Sequence, residues 1–224
     1  MPIKMASKQL AFYFLLPVLV AVSVSNSLFT VFSSLFMFVA VYSFFKEKQV
    51  VSWKNPWFLC IAAYLLLNFL AVLPSEYLLH SVRGAFRTFR AALLCGCAIY
   101  VLDSEQRWRT AFRFLVLALV LVGMDALAQG ATGMEILRQR PMTAYLEGTK
   151  RLTGPYPHAN DFSAYLSLMI PFLGLLLPAG RRYFSTREFW VIVGAFGIAL
   201  SCFVGTYARG AWAAVLFSFF LRIR

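Results

Sequence analysis

The chain has 224 residues, of which 61% are hydrophobic and only 13% charged, with a mean hydropathy of +0.73. Soluble domains average about half apolar and a quarter charged residues, so this composition excludes an ordinary soluble fold and specifies an integral membrane protein. The net charge of +12 would suit nucleic acid, but the Lys and Arg residues sit in short loops between apolar runs, so no nucleic-acid partner is expected.

Met1 to Lys8 leads into an apolar run without a small-residue cleavage site, and the first helix is expected to persist as an anchor. Leu10 to Phe45 carries no charge over 36 residues, whereas one crossing of the hydrocarbon core needs about 20. Two spans are therefore expected, broken at Ser23 to Ser27, where hydroxyls and Asn26 can satisfy backbone groups in a turn. One long tilted helix instead would invert every later loop. The loop Lys46 to Pro56 holds Lys46, Lys48 and Lys54, with Trp53 and Trp57 as interfacial anchors. Further spans are expected over Trp57 to Leu73, about Phe86 to Leu102, and roughly Phe112 to Ala128.

A long polar interval follows, Gln129 to Asn160, too long for a simple connector. The sixth span, Phe162 to Leu177, is expected to stop at Pro178, and a basic loop leads to the seventh, about Phe189 to Val204. Gly205 to Trp212 turns the chain into an eighth apolar run that ends at Arg224. With the N-terminus in the cytoplasm, 13 of the 21 basic residues face inward, which supports that orientation. The expected fold is all-α: a polytopic membrane helix bundle of about eight transmembrane helices, the last incomplete. Residues 1–224 would form a single transmembrane domain, the front portion of a larger membrane protein, with 129–160 as its extracytoplasmic loop.

Cys60, Cys95, Cys97 and Cys202 all fall in apolar segments. Cys95 and Cys97 point about 200° apart on a helix, a poor grip for one ion, so all four read as small buried hydrophobes and no metal is expected. There is also no Gly-rich phosphate loop or nucleophile elbow, hence no cofactor. The outer basic residues are mostly arginines, whose planar forks suit phosphate. Arg83, Arg87 and Arg90, spaced i, i+4, i+7, share a helical face where they could hold a diphosphate or snorkel to ordinary membrane lipids. Arg209 lies between two apolar runs, where a charge is either functional or a helix-end anchor. Asp125, near the outer end of the fifth span, is expected to pair with an outer arginine.

The segment Arg151 to Asp161, RLTGPYPHAND, stands between two apolar runs. Pro155 and Pro157 stiffen it, Gly154 permits a turn, and Asn160 or Asp161 can cap the next helix, whose N-terminus favours anions beside Arg151. His158 can titrate near neutral pH or be merely exposed. His80 has no evident partner.

RLTGPYPHANDFSAYLSLMIPFL, residues 151–173, followed after a basic loop and one span by GTYARGAWAAVL, residues 205–216, resembles the core of the O-antigen ligase and polymerase superfamily of bacterial membrane glycosyltransferases. The likeness spans about residues 60–224 and departs at Ala208, where the family usually has Ser. It implies metal-independent transfer of a glycan from undecaprenyl diphosphate, in the bacterial inner membrane and on the periplasmic side. The acceptor would be lipid A core in a ligase, another repeat unit in a polymerase, or a protein hydroxyl in related enzymes. Arg209 and Arg151 match family arginines expected to neutralise the leaving diphosphate. Arg83, Arg87 and Arg90 are additions to that clamp, and Asn160, Gly154 and His158 are donor-binding candidates. The family's catalytic His lies in a later outer loop that this sequence does not contain, and His158 lies in the wrong loop to replace it. A transporter or glycolipid-binding protein, holding anionic lipid without chemistry, is the non-enzymatic alternative.

Overall fold

The computed structural model describes residues 2–47, 56–136, 139–146 and 149–222. Among these residues eight helices follow in order, α1 (Pro2–Val24), α2 (Asn26–Lys46), α3 (Pro56–Leu70), α4 (Leu78–Val101), α5 (Glu105–Thr132), α6 (Ala159–Tyr183), α7 (Thr186–Gly205) and α8 (Arg209–Arg222). The chain is thus an all-α membrane helix bundle. Five stretches are long and apolar enough to cross a membrane, and shorter apolar helical stretches lie in α1, α3 and α8. Outward-facing side chains confirm the solvent: Phe38 and Leu168 are each 74% exposed, which water would penalise and lipid does not. Lys48, Trp53 and Lys54 of the second loop, and Arg138 of the long polar interval, lie outside the described residues.

The expected break between the first two helices falls at Ser25, whose N–H still reaches Ala21 O at 2.9 Å. Other boundaries differ. The fourth helix starts at Leu78, well before Phe86, so that Arg83, Arg87 and Arg90 lie inside it. Charges lower a hydropathy average but leave the helical backbone satisfied, which is what membrane insertion demands. The sixth helix runs through Pro171 and Pro178 to Tyr183, although its most apolar stretch does end at Pro178. Each proline removes one donor, and a membrane helix tolerates that where neighbouring groups compensate.

The polar interval is also more structured than a loop. α5 continues to Thr132, Met134 bridges to Pro141, and strands β1 (Thr143–Leu146) and β2 (Thr149–Arg151) pair antiparallel. Strands this short carry no readable alternation. Asp125 accepts the Ile136 backbone N–H at 2.8 Å, and Arg140 lies 3.8 Å from the buried Glu135 carboxylate. Cys97 and Cys202 are buried as expected, but Cys60 and Cys95 are exposed, and all four are free thiols. In lipid an apolar residue need not face the core.

Packing divides the chain, read from sequence as a single domain, into two compact units, Met1–Val18 with Ser27–Ala111, and Leu19–Asn26 with Phe112–Arg224. In the first, Phe69 of α3 meets Phe86 of α4 edge-on at 6.3 Å. Arg90 sits about 18 Å along α4 at 1.5 Å per residue. It donates to Ser33 Oγ of α2 at 2.7 Å and lies over the Phe29 ring, so a charge deep in the helix is partnered.

The second unit is built on α5, α6 and α7. Phe112, Val116, Leu119, Val122 and Ala126 recur at helical spacing along one face of α5, the periodicity of a buried stripe. They share a core with Phe162, Leu166, Ile170 and Leu173 of α6 and with Ile192, Ala195, Ala199 and Cys202 of α7. A capping box starts α7, in which the Ser185 side chain accepts from Glu188 N–H and Glu188 accepts in return from Ser185 N–H. Arg113 of α5 locks that cap by an ion pair to Glu188 at 2.6 Å.

In the first unit the Asp103 carboxylate joins Lys8 at 2.7 Å and Arg107 at 2.9 Å. Burial alone would raise the Asp103 carboxyl, but the Lys8 hydrogen bond and the charges of Lys8 and Arg107 hold it below its ordinary value. The stabilisation from such a depressed carboxyl is complete above the ordinary carboxylate range and is lost as pH falls through the folded value. Asp103 is 45% exposed, which limits the pair to about 1 kcal/mol or less. Detergent melting curves should therefore show a small acid-side loss of stability that Asp103→Asn abolishes. An unchanged acid limb in the variant would count against the pairing.

Candidate functional site

The second unit carries a cavity of about 540 Å³ lined by Arg151, Asn160, Ser163, Ala164, Ser167 and Tyr207–Ala211. Three pieces of chain meet there: the end of β2, the first turns of α6, and the α7–α8 corner. Asn160, Ser163, Ala164 and Ser167 recur at i, i+3, i+4 and i+7, so one face of α6 presents an amide and two hydroxyls to the space. Among the described residues no carboxylate lines it.

Arg151 binds this arrangement together. Its Nε donates to the Thr206 carbonyl at 2.6 Å, and its second guanidinium arm donates to Asn160 Oδ1 at 2.7 Å. The first bond reaches the C-cap of α7, the second the first turn of α6. Asn160 therefore uses its side chain on Arg151 and not as a cap. Helix α6 begins two residues earlier than a cap at Asn160 requires, with the His158 carbonyl accepting Asp161 N–H at 3.1 Å and Phe162 N–H at 3.3 Å.

The corner between α7 and α8 is tightly braced. The Phe203 carbonyl receives Thr206 Oγ1 at 2.7 Å and the Trp212 indole N–H at 3.2 Å. The Leu152 N–H donates to the Gly205 carbonyl at 2.9 Å. The Leu152 side chain occupies the space that a Cβ on Gly205 would take, so only glycine lets the strand approach this helix end. Tyr207 then adopts φ +51°, unusual for a residue with a side chain, and turns the chain so that Arg209 opens α8.

Arg209 is exposed at the cavity, and among the described residues its guanidinium makes no hydrogen bond or ion pair. The first intrahelical bond of α8 is Trp212 N–H to Ala208 O, so the N–H groups of Arg209, Gly210 and Ala211 belong to an open helix start. Such a start favours anions through its donors and its dipole. The first turn of α6 adds a second helix start at the same cavity. Two guanidinium groups, two helix N-termini, an amide and hydroxyls, with no lining carboxylate, make a site suited to a compact anion with several oxygens.

The other sequence-derived candidates are not among the described residues that line this cavity. Gly154 is buried behind the cavity at φ +51°, where an added Cβ would sit 3.3 Å from the Phe162 ring; it shapes the turn. His158 is exposed and does not line the cavity. Arg83, Arg87 and Arg90 belong to α4, in the other compact unit. Ala208, where the resembling family has Ser, lines the wall and is 9% exposed. Tyr207, Ser163 and Ser167 line the cavity without having been singled out from sequence, although the two serines follow Asn160 at helical spacing, a signal that could have found them. Among the described residues, a second cavity of about 440 Å³ is bounded by Phe184, Thr186, Phe189 and Trp190.

No protein-family model, curated protein or solved structure matches the chain.

Two backbone positions check the geometry in opposite senses. Gly154→Ala should lower stability by about 1–2 kcal/mol, the cost of left-handed backbone for an L-residue. Tyr207→Gly should leave stability unchanged or raise it by up to about 1 kcal/mol for the same reason. Thermal unfolding of the purified variants in detergent measures both, and a destabilised Tyr207→Gly would contradict the strained corner.

Proposed function

We propose that the chain is a glycosyltransferase of the O-antigen ligase kind, moving a glycan from undecaprenyl diphosphate to lipid A core. It would act in the bacterial inner membrane with the cavity on the periplasmic side. The observation that carries this reading is the convergence of Arg151 and Arg209, the two residues matched to family arginines, on one cavity with two helix starts and, among the described residues, no carboxylate. The basic-residue distribution supports a cytoplasmic N-terminus, which puts the α5–α6 connection and the α7–α8 corner outside.

In such a transfer the bond between the sugar's anomeric carbon and the diphosphate oxygen breaks. The acceptor hydroxyl oxygen bonds that carbon and gives up its proton, and undecaprenyl diphosphate departs with the electron pair. Negative charge grows on the leaving diphosphate oxygen, so preorganised cations placed there stabilise the transition state more than the ground state. Arg209, exposed and without a protein partner among the described residues, is the group assigned to that charge. Arg151, already anchored to Thr206 and Asn160, holds the diphosphate in register. A polymerase would use the same donor chemistry with a repeat unit as acceptor.

Expressed from the complete gene in a strain lacking attached O-antigen, the protein should restore the polysaccharide ladder on lipid A core. Arg209→Ala should reduce transfer by about 100-fold or more, the scale of losing one charge-stabilising donor, and Arg209→Lys should recover only part. Longer glycan on the carrier lipid without attachment would replace the ligase reading with a polymerase. Binding of undecaprenyl diphosphate without either product would leave a glycolipid-binding protein.

A further inference from the structure

The side chain of Gln129, near the end of α5, is fully buried, a costly place for an amide unless every polar atom is used. Its Oε1 accepts the backbone N–H of Thr153 at 3.0 Å and that of Gly154 at 3.1 Å, and its Nε2 donates to Thr153 Oγ1 at 3.0 Å. One side chain thus grips two successive residues of the segment that follows Arg151. An amide offers an acceptor for two N–H groups on one atom and a donor for a hydroxyl on another.

The rest of the segment is held from the opposite side, by Leu152 N–H on the Gly205 carbonyl and by the Leu152 side chain over Gly205. Residues 152–154 are therefore clamped between α5 and the end of α7. Because both clamps act immediately after Arg151, they fix where its backbone emerges and so where its fork meets Thr206 O and Asn160 Oδ1. A shift of about 1 Å in a charge-stabilising group is enough to weaken its action strongly.

We propose that Gln129 is the positioning residue for Arg151, holding the guanidinium in place to receive the diphosphate of the donor; the ligand, though not the positioning, rests on the function proposed above. Among the described residues the hydrogen bonds of the carboxamide go to Thr153 and Gly154, neither of which lines the cavity, so its effect passes through the segment that carries Arg151.

The test compares wild type, Gln129→Leu and Gln129→Glu in detergent micelles by two readouts. The first is hydrogen exchange of the peptide spanning Arg151 to Gly154. In Gln129→Leu it should exchange at least tenfold faster, with the α6–α7 core peptides unchanged, and Gln129→Glu, which keeps the acceptor for both N–H groups, should restore most of the protection. Exchange at the wild-type rate, or equal acceleration throughout the unit, would overturn the positioning role. The second is the affinity for inorganic diphosphate. Gln129→Leu should weaken it about tenfold in the wild-type background and not at all further in an Arg151→Ala background; equal losses in both backgrounds would again overturn it. If wild type binds no diphosphate, the proposed function falls while the exchange readout still decides the positioning of the segment. Should Gln129→Leu fail to fold, Gln129→Asn, whose amide is withdrawn by one methylene, takes its place with the same readouts.

Discussion

The Arg151 guanidinium is the tie on which the candidate site depends. It reaches the carbonyl of Thr206 at the end of α7 and the Asn160 amide in the first turn of α6, and so joins two helix ends that share no covalent neighbour. A carbonyl left by a terminating helix needs a donor, and in a membrane protein water is not always at hand to supply one. Arg151 meets that need while keeping a delocalised positive charge at the cavity wall. A structural hydrogen bond and a cavity-facing charge thus reside in one side chain, which a lysine, with a point charge and no fork, would not reproduce.

Around that tie, small residues set the distances. Gly205 lets the strand lie against the end of α7, and Gly154 turns the chain at positive φ beneath Phe162. Tyr207 accepts the same left-handed backbone with a side chain attached, at the cavity itself. Strain of this sort persists only where surrounding contacts over-determine it, and here the Phe203 carbonyl, braced by Thr206 and Trp212, supplies the constraint. Rigidity at the corner suits electrostatic stabilisation, because donors that need no rearrangement act at full strength when charge develops.

The membrane supplies the other half of the account. Its low dielectric demands partners for polar groups inside the helices, and three of the described residues show them: Arg90 on Ser33, Gln129 on Thr153 and Gly154, Asp125 on the Ile136 N–H. The large apolar side chains facing outward need none. Burial is therefore a weak guide to composition here, which is why Cys60 and Cys95 lie exposed in apolar helices.

Composition, the length of the apolar runs and the serine-rich break at Ser25 were enough to specify an all-α membrane bundle and its helix count, because backbone satisfaction in lipid leaves few alternatives. Arg151, Asn160 and Arg209 stood out in sequence for a local reason: charged and polar groups at the edges of apolar runs are costly there. What local pattern could not supply was which of these groups meet. Arg83, Arg87 and Arg90 have the same chemistry as Arg151 and Arg209, yet α4 belongs to a different compact unit from the cavity. His158 has the more conspicuous side chain in its loop, yet it contributes a backbone carbonyl. The grip of Gln129 on a loop in the same unit is decided by packing across a longer sequence separation, where tertiary contacts outweigh local preference, while the short hairpin is too brief to show a readable alternation and a proline in a membrane helix does not by itself end it.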